Sequence, residues 1–352
     1  MSPVEEFLNG PYGWLVIFGI IVIFTLLTIL YYTKKDVYDP EPPGRLLYGF
    51  LLGIVSVFPA LILSFVGIII LILVLGAAPA ILQAILIAPV MEEIAKILFV
   101  VHLSKSDAFD GPLDGLIYGA MVGAGFAAAE NILYGLGALL SGGIFSGLTL
   151  TVIRSVTQVV GHPLYTGLAG VGVGEWKVGL ESGKYSKLWR SMLFHGLWNL
   201  AASLQPDLVS IGGIIVVIVI NVYVLRKELR RCIDLDKDAY ERGYYDQKEK
   251  RLEMKRNQIR QQIQSRNWEQ TQNTWSTDNS WNHSTSPQMD KKISLEDTGV
   301  DSRNYEQPDR QSGFYEEPVS KSMDQAPNFC KICGTKRQEG DRFCRTCGNK
   351  LV

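Results

Sequence analysis

The sequence predicts an all-α polytopic membrane protein with about seven transmembrane helices, followed by a disordered linker and a small C-terminal zinc ribbon. Three observations lead there. Residues up to about 225 form apolar runs with short polar breaks, several of them at or beyond the roughly 20 residues that span a bilayer. Some breaks are rich in Lys and Arg, while others hold neither. The rest of the chain is strongly polar and ends in paired cysteines. The averages conceal this division. A chain of 352 residues, 47% hydrophobic with net charge −1, describes neither half, and its near-neutral total points to no partner.

In order, the first span covers about residues 12–32. It does not read as a cleaved signal, because Glu5 and Glu6 stand where a basic region belongs and the apolar run Trp14–Tyr32 is long enough to cross. Lys34, Lys35 and the turn Asp39-Pro-Glu-Pro-Pro-Gly44 follow. The block from Leu46 to about His102 is apolar apart from Glu92, Glu93 and Lys96. A polar loop with Asp107, Asp110 and Asp114 precedes spans at about 113–137 and 148–174. The loop 175–190 carries Lys177, Lys184, Lys187 and Arg190. Runs at about 191–204 and 208–225, parted by Gln205-Pro-Asp207, precede Arg226, Lys227, Arg230 and Arg231.

Lys and Arg mark cytoplasmic loops. The clusters at 34–45, 177–190 and 226–231 therefore lie on one side, which requires an even number of spans between the first two. The block 46–102 then holds two, split near Gly76-Ala-Ala-Pro-Ala80. The result is seven spans, N-terminus outside and tail in the cytoplasm. The second span, 46–75, is overlong and is expected to tilt or to kink at Pro59.

The chemistry is expected where charge lies inside these spans. An ionisable group at the bilayer centre costs about 2.5–3.5 kcal/mol on insertion scales and is functional by default. On a helix, Glu92 and Lys96 are four apart and able to pair, while Glu93 points about 100° away. The competing reading is a structural ion pair. Glu130 and Asn131 follow a stretch of Gly and Ala that suits close helix packing. Arg154, Gln158 and His162 are spaced to share one helix face, as are His195 and Asn199. Any one of these is explained by a satisfied core residue. Glu92, Glu93, Glu130, His162, His195 and Asn199 together, spread over four spans, point to one convergent site, with Lys96, Asn131 and Arg154 in support. Such a set suits hydrolysis: a buried Glu takes a proton from water, and His and Asn donate to an oxyanion. Alternatively, Glu130, His162 and His195 hold a metal, as His/His/Glu sets do in catalytic zinc sites. No compact HExxH is present. Metal-free and metal-dependent chemistry both stay open, with a slight balance toward the former.

Glu92-Glu-x-x-Lys96, Phe126-x-x-x-Glu130-Asn131, Gly161-His162-Pro and His195-x-x-x-Asn199 resemble the PrsW family of intramembrane proteases, as does Asp39-Pro-Glu-Pro-Pro43. The resemblance covers about residues 10–225. It implies cleavage of peptide bonds in membrane proteins, in the namesake case first-site cleavage of an anti-sigma factor. It also implies a relation to the CAAX prenyl endopeptidases and the wider CPBP proteases. Carried over, Glu92 or Glu93 resembles the water-activating glutamate, and His195 with Asn199 the oxyanion pair. The related CAAX enzymes have His where this chain has Glu130, and an Arg four residues after their second Glu. Here Lys96 comes four after the first Glu, so which Glu is the base stays open, as does whether His162 replaces the missing His.

The division expected is a membrane protease-like domain over 1–232, a polar helix or stalk over 233–272, a disordered linker over 273–327 and a zinc ribbon over 328–352. Cys330-x2-Cys333 and Cys344-x2-Cys347 have the two-knuckle spacing of a tetrahedral four-cysteine zinc site. That structural ribbon favours a cytoplasmic protein partner over nucleic acid. Cys232 is left over, a plain thiol with palmitoylation as the lesser option. Two rival functions remain. One is a non-catalytic scaffold recruiting a partner through the ribbon. The other is a proton-coupled transporter, disfavoured by the lack of an inverted repeat.

Overall fold

The computed structural model describes residues 12–277, and among them there are helices and connections but no strand. The four ribbon cysteines and most of the expected linker lie outside the described residues. The helices are α1 (Gly13–Thr33), α2 (Pro43–Val55), α3 (Val57–Leu75), α4 (Ala88–Leu103), α5 (Pro112–Thr157), α6 (His162–Lys177), α7 (Leu188–Ala202), α8 (Asp207–Glu241) and α9 (Tyr244–Thr277). A single turn, Ala80–Leu82, and a π-helical turn, Gln83–Ile87, lead into α4.

Four segments are long and apolar enough to cross a membrane: Gly13–Thr33, Pro43–Leu75, Pro112–Lys177 and Asp207–Glu241. Each of the seven expected runs is helical: α4 and the turns before it form one unbroken helical run from Ala80 to Leu103, while α7, with 15 residues, falls short of a full span. Both carry the polar faces that meet at the site described below. The breaks have local causes. Pro43–Leu75 is interrupted only at Ser56, three residues before Pro59, which has no N–H to give the preceding turn. The break expected at 76–80 opens with Gly76 in the left-handed region (φ 70°).

Pro112–Lys177 doubles back at Gly143, whose φ of 76° and ψ of −177° interrupt α5. Its two limbs press together along small residues. A Cβ on Gly115 would lie 2.2 Å from the Gly170 carbonyl oxygen, and one on Gly123 would lie 2.3 Å from that of His162. Only hydrogen at these positions permits such an approach. Leu116, Ile117, Met121, Leu164, Leu168 and Leu225 fill the adjoining core, together with Cys232. The fully buried Cys232 thiol is thus a packing group, which removes the palmitoylation option.

At the end of the bundle that bears residues 34–45, the Asp-Pro-Glu-Pro-Pro stretch is folded inward. The Glu41 N–H donates to Asp36 Oδ2 at 3.0 Å, and the Tyr118 hydroxyl donates to Glu41. Asp114 Oδ2 accepts from the N–H groups of Asp110 and Gly111 at 2.6 and 2.7 Å and so caps α5. Three basic residues of the later clusters are paired. Lys187 reaches Glu175 at 2.7 Å, Arg190 reaches Glu228 at 3.2 Å and Arg231 reaches Glu175 at 2.6 Å, joining α6, the start of α7 and α8.

Burial, aided by the Asp236 charge, pushes the Asp36 carboxyl up to about 7. The folded state then holds a proton that the unfolded state has released above about pH 4. Stability attributable to Asp36 therefore falls as pH rises from about 4 to about 7. Asp36→Asn should flatten that slope and raise the melting temperature at pH 8, checked by thermal unfolding in detergent across pH.

Membrane helix α8 runs unbroken to Glu241, and Gly243 (φ 70°) separates it from α9. The expected 232/233 boundary thus falls inside a helix, and α9 extends to Thr277, just past the expected end of the stalk. Among the described residues, those up to Gln247 belong to one compact unit and those from Lys248 to another. In the second unit the side chains of α9 are mostly exposed, as its charged composition requires.

Candidate active site

Glu92, Glu93 and Lys96 sit on consecutive turns of α4, with Glu93 and Lys96 fully buried. Lys96 makes its closest ion pair with Glu93, three residues before it, and lies 3.9 Å from Glu92. The expected Glu92–Lys96 pair is thus the looser one. Residues three apart are also helix neighbours, and Glu93 is the one turned into the bundle. Its carboxylate accepts from Ser191 Oγ at 2.5 Å, Thr166 Oγ1 at 3.2 Å and His195 Nδ1 at 3.1 Å, besides Lys96. With so many partners, Glu93 is a fixed counter-charge. Glu92 Oε2, by contrast, is buried without a hydrogen-bond partner and faces His195 Nε2 at 3.8 Å.

The two histidines are oriented by carboxylates. Because the His195 Nδ1–H donates to Glu93, the ring turns Nε2 toward Glu92. Lys96 Nζ donates to His162 Nδ1 at 2.9 Å, which leaves the proton on His162 Nε2 to donate to Glu130 Oε2 at 2.7 Å. Arg154 donates to the same Glu130 oxygen at 2.7 Å and to Asn131 at 2.8 Å. Asn131 donates to Gln158, which donates to Thr25 of α1. The rings pack together, with His195 stacked on Tyr165 at 5.3 Å and edge-on to His162 at 4.7 Å.

Arg154, Gln158 and His162 do not share one continuous helix face as expected. A 3-10 turn over Gln158–Val160 ends α5 within the second limb, and His162 opens α6 behind Gly161. Pro163 lacks the N–H needed to continue the helix through this point. Tyr32 and Asn221 donate to the carbonyls of Val159 and Val160 and so hold the turn. The three side chains still meet around Glu130 and Asn131. On α7, Asn199 Nδ2 donates to the Ala84 carbonyl in the π-helical turn at 2.9 Å, a helix irregularity frequent at functional sites.

Glu92, Glu130, His162, His195 and Asn199 all line one polar cavity of about 420 Å³, with Asn131 and Arg154. Glu93 stands behind its wall. Sequence reasoning missed Ser191, Thr166, Tyr165 and Asn221. Two of these had a signal: Ser191 is four residues before His195 and Thr166 is four after His162, so each shares its histidine's helix face.

A ligand test separates the carboxylates. Glu92, His162 and His195 each offer one ligand atom, and these lie within 4.8 Å of one another. This His/His/Glu set includes Glu92 where the sequence reading had Glu130. Its donors suit a catalytic zinc-type ion, and Glu92 Oε2 has the lone pairs for it. His195 Nε2 is already presented. His162 would have to exchange its bond to Lys96 or Glu130. Glu93 and Glu130 are placed as carboxylate partners of the two imidazoles, the usual support of metal-bound histidine.

Buried carboxylates and imidazoles around a polar cavity, among helices long and apolar enough to cross a bilayer, are the arrangement that a membrane-embedded hydrolytic enzyme requires. Residues 41–225 match the model of the PrsW family intramembrane metalloproteases, and the chain belongs to that family. It is 35% identical over 179 residues to Protease PrsW of Geobacillus kaustophilus strain HTA426, covering 48% of this chain and 72% of that protein. It is 29% identical over 180 residues to Protease PrsW of Bacillus subtilis strain 168, covering 48% and 74%. No solved structure matches. The chain is accordingly a multi-pass membrane peptidase that acts on membrane proteins within the bilayer.

Proposed function

We propose that the chain is an intramembrane endopeptidase whose attacking water is activated at Glu92. The observation that carries this is Glu92 itself. Its buried Oε2 has no hydrogen-bond partner, and its carboxylate borders the polar cavity beside His195 and Glu130. Glu92, His162 and His195 would hold the family's metal. Bound there, a metal would polarise the scissile carbonyl and lower the pKa of water. Glu93 keeps His195 in one tautomer, and Lys96 offsets the Glu93 charge. Arg154 and Asn131 hold Glu130 against His162. Asn199 keeps an amide N–H beyond its bond to Ala84, available to an oxyanion.

In the same reading the N-terminus is outside and the tail cytoplasmic, following the Lys and Arg clusters. The tail's four cysteines bind one structural zinc and present a protein-binding ribbon. The test of the metal uses a chain truncated after Thr277, so that the ribbon cysteines do not interfere. Reconstituted with a single-span membrane substrate, it should lose cleavage on chelation and regain it with added zinc. Cleavage that survives a strong chelator would assign direct proton transfer to Glu92 without a metal.

A further inference from the structure

Pro89 stands inside a helical run that begins at Ala80 and passes through the π-helical turn into α4. A proline inside a helix has no N–H to give, and its ring crowds the carbonyl four residues before it, here that of Ile85. The backbone answers with the wider turn. The Ala88 N–H donates to the Gln83 carbonyl, five residues back. The next donor in that pattern, for the Ala84 carbonyl, would be residue 89, which has none. Ala84 is met from another helix instead: Asn199 Nδ2 of α7 donates to its carbonyl at 2.9 Å. The Ile85 carbonyl lies against Gly196 of the same helix. A Cβ on Gly196 would lie 2.8 Å from that oxygen and 4.0 Å from the Pro89 ring, so a methyl group there would push the two segments apart. Glu92 lies three residues after Pro89, and His195 immediately before Gly196.

We propose that Pro89 and Gly196 are positioning residues of the hydrolytic site. Pro89 opens the turn that leaves the Ala84 carbonyl to Asn199, and Gly196 lets α7 close on that turn. The resulting lock fixes His195 against Glu92. The inference rests on the peptidase reading above and adds two residues, neither of which lines the polar cavity. The distance at stake is the 3.8 Å between Glu92 Oε2 and His195 Nε2. A misplacement of about 1 Å at reacting groups is enough to cost about 10²-fold in rate. A regular helix would not serve. With an N–H at residue 89 the four-residue pattern can return, and the Ala88 N–H then goes to Ala84. The stretch before Glu92 rewinds by one residue, about 100°. Asn199 is left with no carbonyl to hold, and α7 loses its tie to the helix that carries Glu92.

The test is a double-mutant cycle on the full-length protein, read by thermal unfolding in detergent. Turnover of a reconstituted single-span reporter is measured beside it. Asn199→Leu alone should lower the melting temperature by about 3 °C, the share of one lost hydrogen bond. In the Pro89→Ala background, where Ala84 regains a helix partner, the same change should cost less than about 1 °C. Pro89→Ala alone should melt no lower than the parent. Its kcat should nevertheless fall about 10²-fold with KM within about twofold, a split that a residue holding only the fold would not produce. If Pro89→Ala does not fold, Gly196→Ala takes its place. It strains the Asn199 bond, so Asn199→Leu should again cost less in its background, and kcat should again fall. An equal cost of Asn199→Leu in both backgrounds would overturn the lock, as would a parental kcat in the Pro89→Ala or Gly196→Ala protein. Cleavage without coupling defeats this inference alone, whereas coupling in a parent that cleaves nothing supports the lock and counts against the peptidase reading.

Discussion

Glu92→Gln is expected to lower cleavage by about 10²–10⁴-fold, the range carried by a positioned acid–base group, while leaving the fold and its melting temperature essentially intact. The substitution preserves size and removes the charge. No hydrogen bond is lost at Oε2, because none is made there, and Lys96 keeps its closer partner, Glu93. The loss follows whether Glu92 takes the proton of water directly or completes a ligand set with His162 and His195, since both tasks need an ionised carboxylate in that place. The check is turnover of a reconstituted single-span substrate alongside thermal unfolding of the same preparation.

Glu93→Gln should behave differently despite adjoining Glu92 in sequence. It removes the counter-charge of a fully buried lysine and weakens the bonds from Ser191, Thr166 and His195. Breaking a buried pair by removing one partner costs about 3–5 kcal/mol. The variant should therefore be inactive and clearly less stable. Combining it with Lys96→Met, which removes the stranded charge and keeps an unbranched chain over the Phe126 ring that Lys96 now covers at 4.2 Å, should recover stability but not activity. Melting temperatures of the single and double variants decide this. A Glu93→Gln protein as stable as the parent would show that Glu93 is not the anchor.

The contrast shows how far the sequence reaches. Charged residues inside apolar runs are costly wherever they point, so Glu92, Glu93, Glu130, His162, His195 and Asn199 could be grouped from composition alone. Their separate tasks depend on tertiary direction. Helix spacing allowed Lys96 to pair with either glutamate, and only the packing of α4 against α6 and α7 selects Glu93. Regular spacing likewise placed Arg154, Gln158 and His162 on one helix. Gly161 and Pro163 carried the signal for the break, but its exact place depends on Tyr32 and Asn221, which arrive from α1 and α8. The doubling back at Gly143 was legible as a polar break with neither Lys nor Arg. The shortness of α7 was legible too, since its apolar run covers only about 191–204; the π-helical turn before α4 was not, because it leaves no mark in the order of apolar residues.

The central claim is that peptide hydrolysis occurs at Glu92, and the most direct measurement follows the water. The wild-type chain and Glu92→Gln are reconstituted separately with a single-span reporter in heavy-oxygen water, and the fragments are weighed by mass spectrometry. The account predicts one heavy oxygen in the new carboxyl terminus of the wild-type product, and no matching fragment from the variant. Wild-type fragments without the heavy oxygen, or equal yields from the variant, would contradict it.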